Sequence, residues 1–227
     1  MNSTIKKPSQ WFHLIESIRS LFETFRGFIF LLFSSAEDLG KGQVVMVVPG
    51  LLSSDYSTYI LRKFLIKKGF IVYGWQLGIN LGRMDKLPEL ITKMEIISTR
   101  HNQKIIQIGW SMGGLFSREV CHQRPDLISK VITLGSPFAD VHAPNNARWV
   151  FELLNDKYDI DHHIATRLAS HTLMPSVAIY SKTDGIVPWE ACIDPTTDEN
   201  HINIEVQSSH FGMGANPKVL TSILNQI

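Results

Sequence analysis

The chain has 227 residues, with 22 Lys+Arg against 21 Asp+Glu and a formal net charge of +1. That length supports one sizeable core, and an apolar share of 44%, before the 15 glycines are added, excludes wholesale disorder. The charge balance offers no basic excess for nucleic acid, and two cysteines, Cys121 and Cys192, do not make a disulfide scaffold.

Residues 1–39 read as an N-terminal amphipathic helical segment, ahead of a main domain over 40–227. From Trp11 the apolar residues recur at helical steps: Trp11, Leu14, Ile15, Ile18, Phe22, Phe25, Ile29 and Leu32. The opposite face carries Glu16, Arg19, Glu23 and Arg26, spaced to form weak ion pairs. The uncharged stretch 27–36 is too short to span a bilayer, and charges interrupt the apolar part as they do not in a secretory signal. A cytoplasmic location is expected, with or without membrane contact. Two placements stay open for the helix: packing on the body, or peripheral contact of residues 11–33 with a membrane surface. Its aromatic content permits the second, whereas a balanced polar face argues against attraction to anionic lipid.

The β-branched run at 44–48, ended by Pro49-Gly50, reads as a buried strand. A helix is expected over 56–68, stopping at Gly69, then a strand over 70–75 and a helix over 87–99 with Pro88 near its first turn. A third strand at 104–108, a helix at 113–124 and a fourth strand at 130–134 follow. Strands at 176–180 and 202–206 and a helix at 217–227 complete the chain. This alternation predicts an α/β fold: a parallel sheet of about six strands with helices on both faces and its active crevice beyond the carboxyl ends of the strands. Residues 139–175 interrupt the pattern. Two short helices are expected there, around 147–158 and 160–173, forming either a small cap over the crevice or a long crossover.

Gly109-Trp110-Ser111-Met112-Gly113-Gly114 is a Gly-x-Ser-x-Gly motif lying between a predicted strand and a predicted helix, the setting that such a turn requires. A nucleophile on a sharp turn leaves no room for side chains at its flanks, and Gly109 and Gly113 remove those clashes. Ser111 would stand above the sheet at the positive end of a helix. A serine hydroxyl needs a base, and the base needs an orienting acid, in the chain order Ser, Asp/Glu, His. Asp184 falls just after the fifth strand and His210 just after the sixth, at the same sheet edge as Ser111. The other histidines lie in the insertion, on surface elements or, for His201, at the opposite edge. Asp194 and Asp198 are alternatives to Asp184 only if the fifth strand is misplaced.

Backbone amides of Met112 and of Leu51, with Leu52 second, are the expected donors to an oxyanion. Trp110, with Trp149, Phe151 and Leu154 from the insertion, is expected to shape an apolar acyl pocket. Gly78, Asn80 and Gly82 lack phosphate-loop spacing and read as shaping a loop near the active edge. Consecutive His162 and His163 point apart on a helix, so no metal site and no cofactor are expected.

These blocks resemble the α/β-hydrolase superfamily and, within it, small bacterial lipase- or esterase-like proteins. The resemblance runs from about residue 44 to the C-terminus. It is carried by Pro49-Gly50 with Ser54-Asp55, the Gly74-to-Gly82 segment, the Ser111 motif, Gly135-Ser136-Pro137, Thr183-Asp184-Gly185 with Val187-Pro188, and Ser209-His210-Phe211-Gly212. It implies hydrolysis of a small-molecule or lipid ester through an acyl-enzyme. Many relatives have His-Gly where this chain has Pro49-Gly50, and the first two antiparallel strands of the full fold are expected to be missing. An acyltransferase using the same three residues and a non-catalytic ligand-binding protein on the same scaffold are the rivals.

Overall fold

Alternate residues of each central strand face opposite layers of helices, so the sheet is apolar on both sides. The computed structural model describes residues 5–155 and 160–227. The strands are β1 (Val44–Val48), β2 (Ile71–Gly74), β3 (Ile105–Trp110), β4 (Ile128–Leu134), β5 (Ser176–Tyr180) and β6 (His201–Glu205). They pair in the order β2-β1-β3-β4-β5-β6, every pair parallel. The chain reverses its direction of travel across the sheet between β1 and β3. Such a switch opens a crevice at the carboxyl ends.

On one face, Val45, Val47, Ile106 and Ile108 pack with α2 (Tyr59–Lys67) and α7 (Pro217–Leu224). On the other, Val44, Met46, Val48 and Ile105 pack with α3 (Leu87–His101) and α4 (Met112–Gln123). The helix expected from residue 56 begins as a 3-10 turn, Asp55–Thr58, because the Asp55 carboxylate is held by the amides of Trp75 and Gln76. Strand β3 runs two residues further than expected. Gly109 and Trp110 continue the ladder beside Thr133 and Leu134, right up to Ser111.

The insertion holds α5 (Arg148–Leu154) and α6 (His162–Ala169), both shorter than their sequence patterns. Asn155 closes α5 by donating to the carbonyls of Phe151 and Leu81, and residues 156–158 of the expected helix lie outside the described residues. Arg118, buried on α4, donates to the carbonyls of Leu168 and Ser170 and pairs with Asp194, which fixes the end of α6 to the body.

Helix α1 (Gln10–Phe33) lies on the body with its polar face inward. Glu16, Glu23 and Gly27 are its buried residues, while the stripe from Trp11 to Leu32 is exposed apart from half-buried Ile15. The inward polar face has a local cause. The loops beneath it present backbone amides and serine hydroxyls, which need acceptors rather than methyl groups. Gly27 lets the helix backbone rest on Ala215, whose carbonyl oxygen would lie 2.0 Å from an added Cβ. Only near its C-terminal end do Phe30 and Leu31 join the core, and Lys67 caps the helix by donating to the Leu31 and Leu32 carbonyls. Among the described residues no helix is long and apolar enough to cross a membrane.

Candidate active site

Ser111 sits between the end of β3 and the first residue of α4 with φ 53° and ψ −121°, a backbone state that non-glycine residues rarely adopt. The flanks explain how the turn fits. A Cβ on Gly109 would lie 2.4 Å from the Gly113 carbonyl oxygen, and one on Gly113 would lie 2.3 Å from that of Val48. The turn is held by the Ser111 amide donating to Leu134 O at 2.8 Å.

Asp184 follows β5 and His210 follows β6, so parallel strands deliver both to the Ser111 edge. His210 Nε2 lies 2.9 Å from Ser111 Oγ, and His210 Nδ1 lies 2.6 Å from Asp184 Oδ2. Asp184 Oδ1 accepts from the amides of Ile186 and Val187, each at 2.8 Å, so this side chain acts as a carboxylate acceptor. Nδ1 must then carry the proton, leaving the Nε2 lone pair for the serine hydroxyl. Asp184 and His210 are both buried. Burial pulls the imidazole towards neutrality, but the Asp184 charge and hydrogen bond, with Glu16 behind, outweigh it and hold His210 above the ordinary histidine range.

The alternatives to these partners are engaged elsewhere. Asp194 is paired with buried Arg118, and Asp198 binds His201 Nδ1 at 2.9 Å. His171, Asp198 and His201 bring three ligand-type atoms within 4.8 Å of one another. That group lies at the start of β6, the opposite edge of the sheet, and His201 Nε2 is already 2.9 Å from Thr172 O.

Leu51, Ser111 and Met112 line one cavity of about 420 Å³. Met112 is the first residue of α4, where an amide has no acceptor within the helix. Leu52 is removed as an alternative donor, because its amide is bonded to Asn80 O at 2.7 Å. Asn80 is fully buried and pins this loop further: its Nδ2 donates to Pro49 O and its Oδ1 accepts from the Gly82 amide.

The cavity is also lined by Leu115, Val141, Phe151 and Val187, with Arg148, Glu152 and Asn155 among its polar groups. Three residues expected in the pocket are not in that lining. Trp149 is exposed at 66%, since the side of α5 that faces the cavity carries Arg148, Phe151 and Glu152. Leu154 is half-buried outside it. Trp110 is buried under the site, where its Nε1 donates to the His210 carbonyl at 3.1 Å.

Glu16 and Glu23 were not expected at the site at all. Glu16 accepts from the amides of Gly185 and Phe211, the residues that follow Asp184 and His210. Glu23 accepts from the Ser209 amide and from the hydroxyls of Ser208 and Ser209. Arg19 donates to Thr183, with Nη2 2.8 Å from the Thr183 hydroxyl. Burial raises the Glu16 carboxyl above the usual range, its Phe211 amide donor opposes this, and the Asp184 charge adds to it. The one signal in the sequence is the seven-residue spacing of Glu16 and Glu23, continued by Gly27, which puts two acids and a close-contact glycine on one face.

Residues 44–168 match the family model for the alpha/beta hydrolase fold, and the chain belongs to that family. No curated protein matches the sequence. Among solved structures, a monoacylglycerol lipase of Paleococcus ferrophilus is similar at 15% identity and TM-score 0.60, over 85% of this chain and 97% of that one. A monoglyceride lipase of Saccharomyces cerevisiae, solved as a soluble variant with a substrate analogue, is 12% identical with TM-score 0.61, over 85% and 87% of the two chains. An esterase of Pyrococcus furiosus is 15% identical with TM-score 0.58, over 83% of each chain. Identity this low supports the likeness of fold alone.

Proposed function

We propose that this chain is a serine hydrolase that cleaves carboxylic esters through an acyl-enzyme. The observation that carries the reading is the continuous relay from Ser111 Oγ through His210 to Asp184, at 2.9 and 2.6 Å, opening on a cavity lined by Leu51 and Met112. Ser111 Oγ attacks the acyl carbon as its proton passes to His210 Nε2, and the carbonyl electron pair moves to oxygen. The amides of Leu51 and Met112 stabilise that oxyanion. Collapse breaks the ester C–O bond, and His210 returns the proton to the leaving alkoxide. Water then repeats the sequence and frees the acid. Asp184 keeps the imidazole in the Nδ1–H tautomer and stabilises the imidazolium.

The apolar lining by Leu115, Val141, Phe151 and Val187 supports an acyl chain as the group bound in the cavity. Substrates of this class, small-molecule or lipid esters, need no metal or cofactor for these steps.

The test is labelling with a fluorophosphonate, read by intact mass and peptide mapping. One adduct is expected, on Ser111, lost in His210→Ala. Esterase activity should fall on the order of 10⁴–10⁶-fold in Ser111→Ala. Activity surviving that change near the wild-type level would overturn the reading. In a panel of p-nitrophenyl esters, medium acyl chains should be turned over better than acetate.

A further inference from the structure

We propose that the outward face of α1 docks on an anionic lipid surface, with the helix lying in the plane of the interface. The face is built for an apolar neighbour that the body does not supply. Leu14 and Leu21 are exposed at 74% and 72%, and Trp11, Ile18, Phe22 and Phe25 are exposed with them. The helix has 24 residues, so this stripe extends for about 36 Å. Apolar surface of that extent on one element marks an interaction site.

The charge distribution selects the neighbour. Sequence spacing put acids and bases together on the polar face, but the fold sorts them. From residue 5 to 34 the only acidic side chains are Glu16 and Glu23, and both are buried against the loops beneath. The exposed ionic groups over that span are Lys6, Lys7 and Arg26, all cationic. A helix with aromatic and aliphatic residues outward, preceded by two exposed lysines, carrying exposed Arg26 and no exposed acid of its own before Glu37 and Asp38, complements an anionic headgroup layer. A second copy of this chain would bring only the same cations to the same face. No described helix can cross a bilayer, which leaves the surface orientation.

The apolar surface also continues towards the cavity. Phe211, next to His210, is half exposed beside the Glu16 contact. Gly185 lies against the backbone of Phe12 and His13 on one side, and on the other its carbonyl accepts from Asn146 Nδ2, two residues before α5. Trp149 and Leu153 on α5 are exposed as well. Lipid under α1 would therefore border the wall of the cavity.

The test reads binding, so it does not depend on turnover. The full chain is sedimented with vesicles of equimolar phosphatidylglycerol and phosphatidylcholine, and with phosphatidylcholine alone. Partition into the anionic vesicles is expected, weakening as salt rises and being unchanged in Ser111→Ala. The double change Leu14→Glu with Phe25→Glu should lower it at least tenfold. Should that variant fold poorly by circular dichroism, the triple change of Lys6, Lys7 and Arg26 to Gln leaves the apolar stripe intact. It should lower anionic binding by about a hundredfold, at roughly fivefold for each cation near the surface. Absence of binding to anionic vesicles, or equal binding to both compositions, overturns the proposal. So does a stable dimer in solution that Phe25→Glu dissociates, which would assign the face to a second copy.

Discussion

The Glu16 carboxylate and the Phe211 amide meet at 3.0 Å although 195 residues separate them in the chain. With the Gly185 amide at 3.1 Å, this one side chain ties together the two loops that carry Asp184 and His210. A gap between those loops would break the relay to Ser111, so Glu16 is a positioning residue that touches neither substrate nor reacting atoms. Glu16→Gln keeps the size but sets an NH₂ group against one of the two amides. Turnover is expected to fall about ten- to a hundredfold with little change in KM, because the loss falls on geometry rather than on the cavity. Glu16→Asp, which keeps the charge on a shorter stem, should recover part of it.

The same carboxylate acts on the titration of His210. The base must be neutral at Nε2 to accept the serine proton. Burial lowers its pKa, and the charges of Asp184 and Glu16 more than reverse this. kcat/KM should therefore rise with pH through a midpoint above the ordinary histidine value of about 6.5. Removing a negative neighbour destabilises the imidazolium, so in Glu16→Gln the midpoint should move to lower pH. A pH profile of both proteins checks the sign; an unmoved midpoint with lowered turnover would leave Glu16 a purely structural role.

Asn80 supports the other half of the site. Its side chain and backbone hold Pro49, Leu52 and Gly82 in one arrangement, leaving Leu51 facing the cavity. In Asn80→Ala, two buried partners lose their bonds, at a cost of about 1–3 kcal/mol each. Displacing an oxyanion donor costs up to about 10²–10³ in kcat. Lower kcat at similar KM, with a lower melting temperature, is the expected pattern. A change in KM alone would mean that Leu51 contributes to binding and not to the transition state.

Much of this arrangement was legible in the sequence because parallel topology converts chain order into place. Strands separated by helices put every strand end on one edge, so a serine, an aspartate and a histidine each following a strand had to converge. The pocket was less legible. Arg148, Phe151 and Glu152 share the cavity side of α5 and Trp149 does not, and the start of that helix, set by Asn145 and Ala147, decides which side is which. Apolar character alone cannot supply that phase. The sequence leaves the placement of helix α1 open between the body and a membrane surface, and neither reading sets Glu16 and Glu23 against the body. What holds them there is the amides and hydroxyls of loops far along the chain, which no local pattern announces.

The seating of α1 on the body makes a prediction whose sign distinguishes a docked helix from a loose one. Gly27 is in a helix interior, where alanine is favoured by about 1 kcal/mol on propensity alone. A helix detached from the body would therefore be neutral to Gly27→Ala or gain from it. Here the new Cβ would stand 2.0 Å from the Ala215 carbonyl oxygen and 2.9 Å from its carbon. Backbone cannot rotate away as a side chain can, so the helix must shift, and such overpacking costs about 1–3 kcal/mol. Moving α1 also pulls Glu23, about one turn before Gly27 on the same face, from Ser208 and Ser209. The clash and the lost bonds together exceed the propensity gain. Gly27→Ala should melt several degrees lower, at about 2–4 °C per kcal/mol for a chain of this size, and should lose turnover along with it. A variant that melts higher with full activity would show that α1 is not held against the loops that carry Asp184 and His210 in solution.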